Sequence, residues 1–314
     1  ISMLLGYFTL FIAIPFRKKG IITCAGKTDG MGAQVQAVYS AILYAHLHKI
    51  TYCHTPLKSV EHNYHNNKNY NQKIDLLQLN PFAGEEIEDF FALSLNESKI
   101  EAYKKSHKIV VLDNISLSGI LLVLLYFLGL KNNIIFQKSH FHNYINRFPD
   151  KYLEIKEKLR SKFFHNKTIP VSNPILKIVV HIRRGDVSAI DKERYTANET
   201  IIALINDIKN SLDALQKKYE ITIFSQGNAN DFEIFKEVAI IHLNQNVFED
   251  YLHFVNADIL LTAKSALSYS AAILSNAFII YEPFYHQPLS DWFIYNDAAS
   301  VELLKNKLTE RFSA

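Results

Sequence analysis

Cysteine, tryptophan and methionine are almost missing: two, one and two copies in 314 residues. Cys24 and Cys53 cannot make a disulfide framework, and they stand at no metal-ligand spacing. The fold must rest on an ordinary core, and an intracellular setting is expected. Charge of one sign is also lacking. The 34 Lys and Arg nearly cancel 31 Asp and Glu, and the formal +3 is too mild to point to a nucleic-acid partner. Ten glycines and eight prolines exclude a collagen-like repeat, while 48% hydrophobic against 21% charged residues exclude a disordered tail and a polytopic membrane protein. Nor is there an uninterrupted apolar run of about 20 residues, as a membrane-spanning helix needs.

What the chain does hold is aromatic residues, at 12%, and length enough for one large domain or two smaller ones. Its two apolar stretches fall short of a span. Ile1–Phe16 is followed by Arg17, Lys18 and Lys19, so its charges lie on the wrong side for a signal peptide. Residues 1–19 read as an apolar leader or a membrane-associated segment. Ile115–Leu130 lies mid-chain, and a buried helix or helix–strand pair is expected there.

The hydrophobic pattern then organises the chain into alternating strands and helices. Ile21–Ala25 reads as a buried strand, residues 26–32 as a glycine-containing turn, residues 34–48 as a helix with Val35, Val38, Ala41, Ile42 and Ala45 in one stripe, and Ile50–Cys53 as a second strand. Residues 58–72 read as a polar loop, in which His62 and His65, like the nearby His54, are too irregularly spaced for a metal site. Helical pieces near 85–105, a strand ending at Asp113 and a charged helix over 152–164 follow. The proline-containing stretch 166–174 is the interdomain linker candidate. Beyond it the alternation restarts: strands at 175–182, 221–224, 239–242, 258–262 and 278–281, with helices at 200–218, near 231–237, 248–256 and 265–274. The spacing predicts an α/β chain of two domains, 20–168 and 169–314.

Chemistry concentrates in His181-Ile182-Arg183-Arg184-Gly185-Asp186, where an apolar strand ends. Ligands of parallel sheets bind beyond the carboxyl ends of strands, and arginine keeps its charge and grips phosphate with two N–H groups. Asp186 can orient one arginine, and a salt bridge at a strand end is the plainer alternative. The embedded Arg-Gly-Asp triplet sits too close to a buried strand for an adhesion signal.

This segment resembles the signature of the GDP-fucose-dependent fucosyltransferases, of the alpha-1,2 and alpha-1,6 types and their bacterial nodulation relatives. Gly30-Met31-Gly32-Ala33-Gln34 is similar to that family's Gly-x-Gly-Asn-Gln loop, and Asp258–Ser270 to its late strand and Ser-rich helix start. Phe224-Ser225-Gln226-Gly227 falls where the family has a strand end near the nucleotide. The resemblance implies a GT-B fold, two Rossmann-like domains facing across a cleft, with an acceptor domain first and a donor domain second. It implies that Arg183 contacts the diphosphate, that His181 and Arg184 shape the same site, and that Ser225, Ser265 and Ser268 lie on the donor side. Gly30, Gly32 and Gln34 would form the acceptor-side loop. A metal is then unnecessary, and no Asp-x-Asp motif is present to hold one. Catalytic roles fall to Arg183, Asp186 and Asp29, with Asp191 and Glu193 as further candidates for the base.

The implied activity is inverting, metal-independent transfer of L-fucose from GDP-fucose to a glycan hydroxyl, with an alpha-1,2 linkage to galactose as the leading choice. Two alternatives stay open: another GDP-sugar donor, or an inactive GT-B module that binds glycans, the latter because Ala33 replaces the family's Asn; Val187 after the motif is a further departure. The expected partners are a GDP-sugar and a glycan, with peripheral membrane contact through residues 1–19. The expected location is the cytoplasm or the cytoplasmic side of a membrane, a Golgi-type anchor being left open. The sequons at Asn96, Asn114, Asn166 and Asn198 are read as chance occurrences in an Asn-rich chain.

Overall fold

The structure, a computed structural model, describes residues 20–58, 60, 83–168, 174–185, 187, 193–295 and 300–313. The leader 1–19, His62, His65, Asp186 and Asp191 lie outside the described residues. The chain divides into two compact units, with the break between Lys167 and Thr168.

The first unit is built on a five-stranded sheet, all of whose recorded pairings are parallel. Its elements run β1 (Ile21–Cys24), α1 (Met31–His48), β2 (Thr51–His54), α2 (Ala83–Phe91), β3 (Ser98–Lys99), α3 (Glu101–Lys104), β4 (Lys108–Val111), α4 (Leu117–Phe127), β5 (Ile134–Lys138), α5 (His142–Ile145) and α6 (Lys156–Phe163). A short 3-10 turn, Pro149–Glu154, precedes α6. The strand order is β3-β2-β1-β5-β4. Central β1 is buried at all four positions, as a strand covered on both faces must be. Helix α1 is buried from Met31 to Ala45 apart from Ala33, which explains why its apolar residues are not confined to one narrow stripe.

The second unit carries six strands in the order β11-β10-β9-β6-β7-β8, again with parallel pairings. They are β6 (Leu176–His181), β7 (Tyr219–Ser225), β8 (Ile240–Leu243), β9 (Ile259–Leu261), β10 (Phe278–Tyr281) and β11 (Phe293–Ile294). The helices are α7 (Asn198–Ala214), α8 (Val247–Val255), α9 (Ala266–Leu274) and α10 (Ser300–Phe312). Ile201, Ile205, Ile208 and Leu212 of α7 recur at helical spacing and bury against Ile178, Val180, Ile221 and Ile223. Each such side chain contributes about 1.5–3 kcal/mol on removal from water.

Two parallel-sheet α/β units are thus present, the make-up of a GT-B chain. Several elements depart from expectation. Helix α1 starts at Met31, three positions before the expected residue 34, because the Gly30 carbonyl accepts from the Ala33 and Gln34 N–H groups. The piece near 231–237 is a 3-10 helix, Ala229–Phe235. Strands β3, β5 and β11 and helix α10 had no counterpart in the pattern. The stretch 115–130 is a helix as expected, yet it is not buried: only Gly119, Val123 and Tyr126 of α4 face inward. Among the described residues no helix is long and apolar enough to cross a membrane.

Candidate functional site

In the second unit the chain leaves β6 toward β7 on one side, while β9 adds on the other. The strand order therefore reverses between β6 and β9, and a crevice opens at such a point beyond the carboxyl ends of the strands. Two loops meet there. One is Ile182–Gly185, where Gly185 takes φ 81, left-handed backbone that a side chain would strain. The other, Thr262–Ser265, leads into α9. Arg183 Nη1 donates to Ser265 Oγ at 3.0 Å, joining the two loops across the reversal. Ser265 is also the N-cap of α9, its Oγ accepting from the Leu267 N–H at 3.2 Å. A guanidinium and the positive end of a helix therefore converge on one place, a combination suited to a phosphate.

Arg184 points elsewhere. Its Nη1 donates to Arg183 O (2.8 Å) and its Nη2 to Thr196 O (2.8 Å) and Asn198 Oδ1 (2.6 Å), while the guanidinium lies 4.1 Å from the Tyr195 ring centroid. Two of these bonds thus hold the segment that starts α7, and the third turns back to the Arg183 carbonyl. Asn198, a sequon residue, is held in turn through Nδ2 to Asp231 O. Thr196 Oγ1 donates to Glu282 Oε1, and Lys264 Nζ stands 3.7 Å from the same oxygen, so Glu282 at the end of β10 belongs to this frame. Burial raises the Glu282 pKa. Ser225 Oγ donates to Ile182 O at 2.7 Å, and Ser268 Oγ accepts from the Ala263 N–H at 3.1 Å. Both hydroxyls fasten loops; of the three sequence-selected serines, Ser265 is the one the structure sets against Arg183.

His181 ends β6 with its ring 5.0 Å from that of Phe254. Burial, and after it the Arg183 charge, push its pKa down from 6.5 to about 3. Positive charge at the site comes from Arg183, then, and His181 is a neutral imidazole. An unfolded chain takes up a proton near 6.5 while the folded one does not. Stability from this group is full above 6.5 and is lost as pH falls toward 3. We expect nitrogen chemical shifts of His181 to report a neutral ring at about pH 5, where an ordinary histidine is charged; a ring titrating near 6.5 would refute this environment.

Asp250 is a residue that sequence reasoning did not select. It lies one turn before Phe254 on the inner side of α8, whose first turn stands at the end of the unit from which β8 emerges. Asp250 Oδ1 is buried with no hydrogen-bond partner among the described residues, and burial raises the carboxyl pKa to about 7. A short Asp in an otherwise apolar helical stripe was the available signal.

The first unit has its own reversal, between β1 and β5. Ala25 N donates to Lys138 O and Cys24 Sγ to Ser139 O, each at 3.1 Å, which brings the glycine loop beside the end of β5. Burial pushes the Cys24 thiol up to about 12, so it is inert. Gly26, at φ 91, turns the chain out of β1. Lys27 Nζ pairs with Asp29 Oδ2 at 2.6 Å, and fully buried Gln34 donates to Asp29 O at 2.6 Å. Gly30 caps α1 and Gly32 is buried in its first turn. Asp113 accepts from Lys138 Nζ (2.9 Å) and Ser139 N (2.6 Å). Asp29 Oδ1 and His140 Nδ1 of this cluster are buried without hydrogen-bond partners among the described residues. His140 stacks on His142 at 4.7 Å, and burial, helped by Lys27 and Lys138, lowers its pKa. Strand β5 was not expected, so His140 could not be placed from sequence. Glu193 is exposed. His54 is buried and pairs with Glu88 and Tyr52, an arrangement that anchors α2.

No family model matches this chain, and no curated protein sequence matches it. Solved structures do align. A mutant of FUT1 from Arabidopsis thaliana, in complex with GDP, aligns over 87% of this chain and 71% of its own, with 12% identity and a TM-score of 0.36. The fucosyltransferase NodZ from Bradyrhizobium aligns over 83% and 95%, with 12% identity and a TM-score of 0.36. A glycosyl transferase of family 9 from Veillonella parvula aligns over 94% and 93%, with 14% identity and a TM-score of 0.42. All three scores are below one half, so the functional reading is built on the chain's own residues.

Proposed function

We propose that this chain is a glycosyltransferase that takes its sugar from a nucleoside diphosphate, GDP-fucose being the donor its motif points to. The observation that carries the reading is the Arg183–Ser265 bridge at the N-terminus of α9, set where the strand order reverses. During transfer the bond between the anomeric carbon and the β-phosphate oxygen breaks, and its electron pair stays on that oxygen. Arg183 and the first-turn N–H groups of α9 are placed to meet this growing charge without reorganisation. The acceptor hydroxyl attacks the anomeric carbon from the opposite face, which inverts it, and the hydroxyl proton passes to a base. The resemblance of the glycine loop gives that role to Asp29, whose carboxylate oxygen Oδ2 pairs with Lys27. A glycan acceptor, with an alpha-1,2 linkage to galactose, follows from the resemblance of the motifs. We propose further that transfer needs no metal, since fixed cationic groups take the place a divalent ion would fill; activity retained in EDTA supports this.

The Asp250 carboxylate supports guanine as the base: guanine N1–H and N2–H₂ are two adjacent donors, and a carboxylate is the matching acceptor. GDP is expected to raise the melting temperature, and Asp250→Ala to weaken GDP by about tenfold or more while leaving UDP unchanged. Because the free Asp250 carboxyl titrates near 7, GDP affinity should also fall between about pH 8 and pH 6, as the carboxyl takes up a proton. Equal binding of GDP and UDP by the parent chain would overturn the assignment of the donor class.

A further inference from the structure

Helix α4 turns its apolar side outward. Leu117, Leu121, Leu124 and Leu128 recur at spacings of four, three and four, which is one helical face, and they are 87%, 57%, 44% and 69% exposed. Phe127 and Leu130 extend the stripe and are also exposed. The opposite side is anchored. A Cβ on Gly119 would stand 3.0 Å from Ile115 Cγ1 and 3.5 Å from Val110 Cγ1, so α4 lies close on β4 and cannot roll its leucines inward. A contiguous apolar strip of this kind is uncommon on a monomer that faces only water.

Charge around the strip is one-sided. No acidic residue occurs between Asp113 and Asp150. The far end of α4 returns beside the start of β4, where the Lys108 N–H donates to Asn133 O and Asn133 Nδ2 to Ser106 O. Lys105, Lys108 and Lys131 are thereby gathered at one end of the strip, and among the described residues none of them is in an ion pair. At the other end, Asp113 is already paired with Lys138.

We propose that this face docks on an anionic lipid surface, with α4 lying in the interface, its leucines among the acyl chains and the three lysines at the headgroups. Apolar area plus basic charge is the physics of such attachment. In a parallel two-fold contact the same charge also disfavours a second copy of the chain, whose own lysines would meet these. The inference goes beyond the proposed activity and does not depend on it.

Full-length protein should sediment with phosphatidylcholine vesicles that contain phosphatidylserine and not with pure phosphatidylcholine. Leu121→Asp with Leu124→Asp should weaken partitioning by about tenfold or more. Lys105→Gln, Lys108→Gln and Lys131→Gln together should weaken it by about a hundredfold, from about 1 kcal/mol per lysine. All five positions are solvent-facing or at the edge, so unchanged circular dichroism and melting temperature serve as controls. Three outcomes would overturn the proposal: no binding by the parent chain, parent-like binding by the α4 variant (attachment through the leader alone), or a concentration-dependent dimer that the same variant dissolves.

Discussion

Arg183→Ala is expected to lower kcat for sugar transfer by about a hundredfold to a thousandfold, the loss of about 2.7–4 kcal/mol seen when one preorganised donor to a developing anion is removed. The effect should fall on kcat rather than on KM, because charge on the β-phosphate oxygen grows only as the glycosidic bond breaks. Arg183→Lys keeps the charge but loses the two-pronged geometry and the contact with Ser265 Oγ at 3.0 Å, so an intermediate rate is expected. Stability should change little in either variant, since Arg183 is not fully buried. Arg184→Ala makes the contrast. It removes three hydrogen bonds that hold Thr196, Asn198 and the Arg183 carbonyl, and should lower stability as well as rate. Steady-state kinetics with GDP-fucose and calorimetric melting separate the two. Unchanged kcat in Arg183→Ala would place the diphosphate elsewhere.

The largest effect on stability is expected in the first unit, at an ion pair to which no chemistry is assigned. Lys162 of α6 is 3% exposed and Glu97 7%, with Nζ to Oε1 at 3.0 Å. Lys158 shares the carboxylate at 2.8 Å, and Lys162 also donates to the carbonyls of Leu93 and Leu95. Glu97→Ala leaves a buried ammonium without its counter-charge and should cost about 3–5 kcal/mol. Glu97→Leu with Lys162→Met removes both charges and should cost much less. The pH dependence has a definite sign. Burial already lowers the Lys162 pKa and Glu97 opposes that shift; without Glu97 the pKa drops further. The unfolded lysine binds its proton at a higher pH than the folded one. The single variant should therefore regain stability as pH rises toward the ordinary lysine value of about 10. Denaturant titration at several pH values checks both points, and a double variant no more stable than the single one would show that the pair is not the cause.

Much of the architecture could be read along the chain because it is local. The apolar run Ile178–Val180 into His181, the 3.6-residue stripe of Ile201, Ile205, Ile208 and Leu212, and the strand–turn–helix at Asp258–Ser270 each carry their period within about a dozen residues. Strand β5 carries none: Ile134–Lys138 is five residues, three apolar followed by two polar, too short to show an alternation. Its absence from the pattern hid His140 as well. The error over 115–130 has a different origin. Leucines predict a helix equally well whether they face a core or a solvent, and only the close approach of Gly119 to Val110 decides which side of α4 turns in.

The same division holds for the site. Residue types and their order, by themselves, determined that a strand ends in two arginines and a glycine, that a serine opens a later helix, and that two α/β units follow one another. They could not determine which arginine serves the ligand. Arg183 and Ser265 are 82 residues apart, and they meet because the pairing of β6 with β9 reverses the strand order between them. Arg184, one position on, is turned toward Thr196 and Asn198. Successive side chains leaving an extended strand point in opposite directions, so neighbours in sequence become a ligand-facing group and a scaffold group. That choice belongs to the sheet, and only the tertiary structure makes it.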